Sequence, residues 1–320
     1  MIDDKEAKKY LDALDDEHGV NQKIQKVEQI KSSPGLILSE SAAYESPWKI
    51  LDLSSLPSKG FLYPENTEIL IRSAKLKEIR HWSTMDEHDP IDVYDKINFI
   101  LKACSKFSVR ESAETFDYFD FLEIDRYHIL FRIYELTFPN QENKLFANIK
   151  CSNKSCNHKN KTQVLSINLK GFEYPSELMQ WYSRTERCFI VNSEKLGETL
   201  KFYLPTIGTT HKIRNKQKSD AILSDEDKQF YSQAKYFLGD YKKLTNEYIH
   251  AIKVTSLTSW SELKFLIIYR ITELLEKASH NKVLSICEKC STETTTSVFL
   301  DGSFTAKDIF IISTGLNELI

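Results

Sequence analysis

Glycine is scarce in this chain, with nine in 320 residues. There is little raw material for a loop that cradles phosphate with backbone amides. No phosphate loop, dinucleotide fingerprint, G-x-S-x-G elbow or H-E-x-x-H pair occurs. The expectation is a protein that is not an enzyme and has no small-molecule substrate. Charge of one sign is not in excess either: 43 Lys plus Arg against 46 Asp plus Glu leave a net charge of −3. That balance gives no support to nucleic acid as a partner. Apolar runs stay short of the roughly 18 residues a membrane span needs, so none is expected. The N-terminal stretch "MIDDKEAKKYLDALDDEHG" is acidic and charged, unlike a signal peptide. A chain without an export signal is expected in a reducing cytoplasm, where paired cysteines are more often metal ligands than disulfides.

What is present is ample core material. Hydrophobic residues make up 41%, with 18 Phe, 15 Tyr and 4 Trp, which argues against global disorder. Residues 1–45 are charged with a weak helical pattern (Ala7, Tyr10, Leu11, Leu14), broken at Pro34-Gly35. They read as an N-terminal helical arm and linker, either ordering against a partner or remaining a floppy tail. Residues 46–146 read as a strand lead-in plus a helical module. "EILIRS" alternates as a strand does, and a helical pattern begins near Lys75. "PIDVYDKINFILKACSKF" places Tyr94, Ile97, Leu101 and Cys104 on one helix face. A further helix is expected to open on a capping box of Asp120 and Glu123, carry Ile124, Tyr127, Phe131 and Tyr134 on one face, and stop before Pro139. Residues 170–280 read as a mainly helical inserted block. In it Ser224 caps one helix, and a box of Ser259 and Glu262 opens a strongly apolar one expected to be buried. Residues 306–320 read as a C-terminal tail. The expected class is α+β: helical modules with short strands and a split zinc-ribbon-like pair of β-hairpins.

The clearest chemistry lies in "ANIKCSNKSCNHKNKTQVLSINL" (147–169) and "VLSICEKCSTETTTSVFLDG" (283–302). Each reads strand, cysteine pair, polar turn, strand, and in each a valine stands eight residues after the second cysteine (Val164, Val298). The spans 147–169 and 281–305 are expected to be the two hairpins of the ribbon, with each valine beginning the returning strand. A zinc ribbon takes two thiolates from each of two hairpin tips and holds the ion tetrahedrally at about 2.3 Å. One shared structural zinc on Cys151, Cys156, Cys287 and Cys290 accounts for both pairs. Two separate sites would each lack ligands, although His158 stands near the first pair. The spacing C-x4-C of the first pair is looser than the usual C-x2-C. The other readings are metal-free hairpins and a thiol redox motif, the latter disfavoured because "CEKC" opens no helix that would lower a thiol pKa. Four thiolates leave no position for a catalytic water.

Other clusters have plainer readings. Cys104 and Cys188 read as small core residues and His158 as a solvated loop residue. "EHDP", with nearby His81, reads as polar residues before a helix at Pro90. "KIRNKQK" from Lys212 reads as a solvated basic loop, a contact for an acidic protein surface and then one for nucleic acid being the alternatives.

At "LSSLPSKGFLYPENTEILIRSAKLKEIRHWSTM" the chain resembles the base-plate hub and hub-assembly proteins of T-even-type contractile-tailed phages. Those carry a Leu-Pro-Ser-x-Gly-x-x-Tyr-Pro lead-in, then a strand, then a helix that begins a small helical module. Here Leu56, Pro57, Ser58, Gly60, Tyr63 and Pro64 match it. "YDKINFILKAC", the helix before "IKCSNKSCNH", and "LKFYLPTIGTTHKI" follow in the family's order over about residues 50–215, with "CEKC" as a further point. Residues 1–45 and 220–280 have no counterpart. The resemblance implies a structural or assembly protein of a tail base plate or related contractile injection machine. It implies other base-plate or hub proteins as partners, and location in the virion, or in the host cytoplasm during assembly. A zinc-ribbon adaptor that binds nucleic acid is the alternative from another class.

Overall fold

The computed structural model describes residues 47–139, 144–170, 176–220, 222–278, 282–297 and 305–310. The expected arm at 1–45 and most of the expected tail lie outside them. Described first is an antiparallel sheet of β1 (Lys49–Ile50), β2 (Thr67–Ile71) and β3 (Ser105–Val109), in that order. Alternation sets its buried face: Ile69 and Ile71 on β2, with Phe107 opposite Ile69 on β3. Between β2 and β3 run α1 (Leu76–Ser83) and α2 (Pro90–Cys104). Asp89 caps α2 through the Ile91 amide, with Pro90 at the first helical position. Tyr94, Ile97, Leu101 and Cys104 are buried on one face, as their spacing indicates. The helix stops earlier than expected, because "SKFSV" alternates with period two and is taken up as β3.

Helix α3 (Arg126–Thr137) stops before Pro139. Its expected capping box lies elsewhere. Asp120 pairs backwards with Asp117 in a short 3-10 turn, where the Asp117 amide donates to Asp120 and Asp117 accepts from Phe119. Glu123 instead pairs with Arg126 at 2.9 Å. The buried carboxylate at the head of α3 is Asp125. It accepts the Ser58 amide (2.8 Å), the Ser58 hydroxyl (2.6 Å) and the Tyr63 hydroxyl (2.8 Å). Tyr63 Oη in turn accepts the Leu122 amide at 3.0 Å. The Leu56–Pro64 loop is thereby bolted to α3. Its Gly60 holds φ +73°, and a Cβ there would stand 3.0 Å from Leu53 Cβ.

β4 (Phe146–Lys150) and β5 (Lys159–Gln163) form the first cysteine hairpin. β6 (Leu169–Lys170) and the short α4 (Ser176–Met179) lead to a meander of β7 (Tyr182–Ser183), β8 (Cys188–Ser193) and β9 (Glu198–Phe202). Helices α5 (Ile207–Ser219), α6 (Asp225–Phe237), α7 (Asn246–Thr258) and α8 (Glu262–Ala278) follow, then the second hairpin, β10 (Lys282–Ile286) and β11 (Glu293–Ser297). β10 also pairs with β6, setting Val283 opposite Leu169. The "KIRNKQK" run is not a loop but the body of α5. Thr206 caps that helix and Ile207, Ile213 and Lys216 are buried on it. Ser224 and Asp227 form the expected box on α6. On α8 the cap moves from Ser259 to Ser261, whose hydroxyl accepts the Lys264 amide.

The inserted block is not a separate core. Phe189, Phe202, Ile268, Ile271 and Leu275 join the cluster that holds Ile97 and Phe131, while α5, α6 and α7 enclose a smaller one around Ile213, Phe230 and Ile249. Helix α8 is buried on one face only, since Leu263, Phe265, Leu266 and Tyr269 are exposed. The expected tail begins inside the core: Phe310 meets the Trp82 ring at 5.1 Å, and Trp82 Nε1 donates to the Lys307 carbonyl. Among the described residues no helix is long and apolar enough to cross a membrane.

Ile268→Asp should destabilise the protein by about 3–5 kcal/mol in denaturant titration, because Ile268 is buried and the new charge has no partner there. Burial pushes the Asp125 carboxyl up from 3.8 to about 6, against the three hydrogen bonds that favour its ionised form. The folded carboxyl then takes its proton at higher pH than the unfolded one. Lowering the pH from 7 to 4 should favour folding at this residue by roughly 2 kcal/mol. Comparing the unfolding free energy of wild type and Asp125→Asn across that range isolates the effect. Parallel pH profiles would show that the Asp125 carboxyl takes its proton at the same pH folded and unfolded, and would overturn the upward shift.

Candidate metal centre

Strand alternation delivers the first cysteine of each pair to the inside. Ala147, Ile149 and Cys151 share one face of the first hairpin; Val283, Ser285 and Cys287 share one face of the second; all six are buried. Both hairpins then make the same tip. The Cys151 amide donates to the His158 carbonyl at 2.8 Å, and the Cys287 amide donates to the Thr292 carbonyl at 3.0 Å. The residue after the second cysteine holds a left-handed backbone in each case, Asn157 at φ 48° and Ser291 at φ 57°. The returning strand starts three residues after that cysteine in both. The two additional residues of the first tip are absorbed by Asn153. Its side chain accepts the Ser155 amide and hydroxyl, and its carbonyl accepts the Cys156 amide. The loose spacing therefore delivers Cys156 to the same place that C-x2-C delivers Cys290.

The structure brings all four expected cysteines together, their sulfur atoms lying within 4.8 Å of one another. The short separations cross between hairpins: Cys151 to Cys290 at 3.5 Å and Cys156 to Cys287 at 3.7 Å. A disulfide would need about 2.05 Å. A tetrahedron of sulfurs bonded at about 2.3 Å to a central ion has edges of about 3.8 Å. The cluster has the dimensions of a four-sulfur metal site. No His, Asp or Glu joins it among the described residues. His158 contributes its carbonyl rather than its ring.

A pair of equivalent hydrogen bonds locks one hairpin on the other. The Ser152 amide donates to Thr294 Oγ1 at 3.0 Å, and the Glu288 amide donates to Asn160 Oδ1 at 3.1 Å. In each, the residue after the first cysteine meets the side chain four residues after the opposite second cysteine. The two hairpins are thus related by a local pseudo-two-fold through the sulfur cluster. Asn160 and Thr294 are buried polar residues that the reading of the cysteines alone passes over. Aligning the two segments on Cys156 and Cys290 would have found them, as polar residues at matched positions. The matched valines are a poorer guide: Val164 follows its returning strand instead of beginning it, and Val298 lies outside the described residues.

Electrostatics favour a cation here. Hydrogen bonds from Thr292, whose Oγ1 lies 3.2 Å from Cys290 Sγ, hold that thiol down at about 6. Burial pushes Cys151 up to about 11. Only thiolates ligate, and four negative sulfurs at this spacing repel one another strongly unless a positive ion lies among them. The remaining cysteines take no part. Cys104 and Cys188 are buried, and burial pushes Cys104 up to about 12. The "EHDP" cluster is likewise structural: Asp89 caps α2, and His81 packs against Phe99 with ring centroids 4.0 Å apart.

No protein-family model, curated protein or solved structure matches the chain.

Metal analysis of the metal-replete protein should give about one equivalent per chain. Cys151→Ser and Cys287→Ser should each lose it, and His158→Ala should keep it. Two equivalents, or none, would mean that the four sulfurs do not form one site.

Proposed function

We propose that the protein is a structural or assembly component of the hub region of a phage tail base plate, or of a related contractile injection machine. It acts by packing against other base-plate or hub proteins, in the virion or in the host cytoplasm during assembly. Its ion is zinc, in a structural role. Four thiolates are the donor set zinc takes in closed sites, and they leave no coordination position for water or substrate. The observation that carries the reading is the clamp itself, which joins segments 139 residues apart through Cys151 and Cys290. A metal used this way fixes surfaces rather than transforming a ligand. The phage-like lead-in supports the same role. Ser58 and Tyr63 are spent on holding Asp125, and Leu56 is buried beside them, so the motif shapes the fold.

Mass spectrometry of particles purified from the virus that encodes the chain, with cross-linking, tests the proposal. A base-plate component should appear at fixed copy number, with cross-links to hub proteins. An assembly factor should appear in assembly intermediates and be missing from finished particles. Absence from both would overturn the reading. Nucleic-acid affinity that falls steeply with salt would favour the adaptor class instead.

A further inference from the structure

Six non-glycine residues among those described hold the left-handed backbone region: Lys59, Asn66, Glu111, Asn157, Arg187 and Ser291. L residues adopt it at a cost, and such strain gathers where a structure must present particular groups. Asn157 and Ser291 belong to the cysteine tips. The other four surround one cleft of about 1130 Å³ on a different part of the surface. Lys59, Asn66 and Arg187 line it, and Glu111 sits in the turn between the lining residues Val109 and Ser112.

The cleft has three walls. One is the loop bolted to Asp125, which carries Lys59 and the half-exposed ring of Phe61. The second is the turn after β3, ending at Phe116, whose ring packs on Phe107 at 5.5 Å. The third is the turn between β7 and β8, with Arg184 and Arg187. Tyr182 ties the third wall to the first by donating its hydroxyl to the Phe61 carbonyl. The walls are therefore held to one another, and the site is formed before any ligand arrives.

Lys59, Arg184 and Arg187 have no ion-pair partner among the described residues, whereas nearby Lys201 is paired with Glu186. The lining also holds Glu65 and Glu114, the latter 3.7 Å from Lys242. Three free cations beside an exposed aromatic ring suit carboxylates and an apolar side chain on one ligand. The two glutamates would repel a continuous polyanion and are compatible with a peptide whose acidic groups are spaced apart.

We propose that this cleft docks an acidic peptide segment of a partner protein, its carboxylates on Lys59, Arg184 and Arg187 and an apolar side chain on Phe61. The surface is remote in chemistry from the sulfur cluster and does not rest on the base-plate reading.

Panning a random peptide library against the full, metal-replete chain tests it. Recovered sequences should be enriched in Asp and Glu with an aromatic or aliphatic residue between them. The best peptide, made with a fluorescent label, should lose about tenfold or more in affinity against the Arg184→Glu/Arg187→Glu double variant. Lys59→Glu, on a separate wall, should weaken it as well. Circular dichroism and metal content should stay unchanged in both variants, which separates loss of the site from loss of the fold. No acidic enrichment, or equal affinity for folded variants, would overturn the proposal. So would tighter, Arg184-dependent binding of a single-stranded oligonucleotide used as a competitor.

Discussion

Mutual repulsion of four sulfurs is the constraint on which the architecture turns. Inside a sphere this small they can all be thiolates only around a cation, and only thiolates hold one. Strands place Cys151 and Cys287 and the hairpin tips place Cys156 and Cys290, yet a closed four-sulfur site needs all four. Strand pairing, tip geometry and the crossed hydrogen bonds from Ser152 and Glu288 all serve to make that meeting possible. Because the hairpins come from distant parts of the chain, the rest of the fold must close back on itself within a few ångströms. The core shows how: α8 packs along the main hydrophobic cluster, and β10, the next described element, pairs with β6 beside the first hairpin.

The second anchor is a carboxylate rather than a sulfur cluster. Asp125 is fully buried and has no ion-pair partner among the described residues, and its burial is compensated by hydroxyls and an amide from one loop. Burying a lone carboxylate is costly, and such an arrangement is retained where it fixes geometry that apolar packing alone leaves loose. What it fixes is the lead-in loop, the start of α3 and, through Leu122 and its bridge to Thr206, the join between the helical module and the inserted block. Disturbing one carboxyl would thus be felt in three elements that are not neighbours in sequence.

How far this could be read beforehand depends on whether a feature is local. The cysteine pairs, the buried face of α2 and the stop before Pro139 all follow from spacing within one segment, and the structure has them. The misplaced helix starts show local signals in competition. Glu123 stands three residues after Asp120, as a capping box requires, but Arg126 is also within reach and takes it. The basic run after Lys212 looked like a loop because its few apolar residues are thinly spread; the burial of Ile213 against Phe230 and Ile249 makes it a helix. The role of Phe310 and the bond from Ser58 to Asp125, 67 residues away, were not legible, because nothing near either residue announces its partner.

The split arrangement also orders events in time. Cys151 and Cys156 leave the ribosome well before Cys290, which stands near the end of the 320-residue chain. At roughly 5–20 residues per second, the first pair waits on the order of ten seconds for its partners. During that interval the first hairpin presents two thiols to any oxidant, or to any metal content with two ligands. A chain cut anywhere before Cys290 lacks at least one of the four sulfurs and cannot complete the cluster.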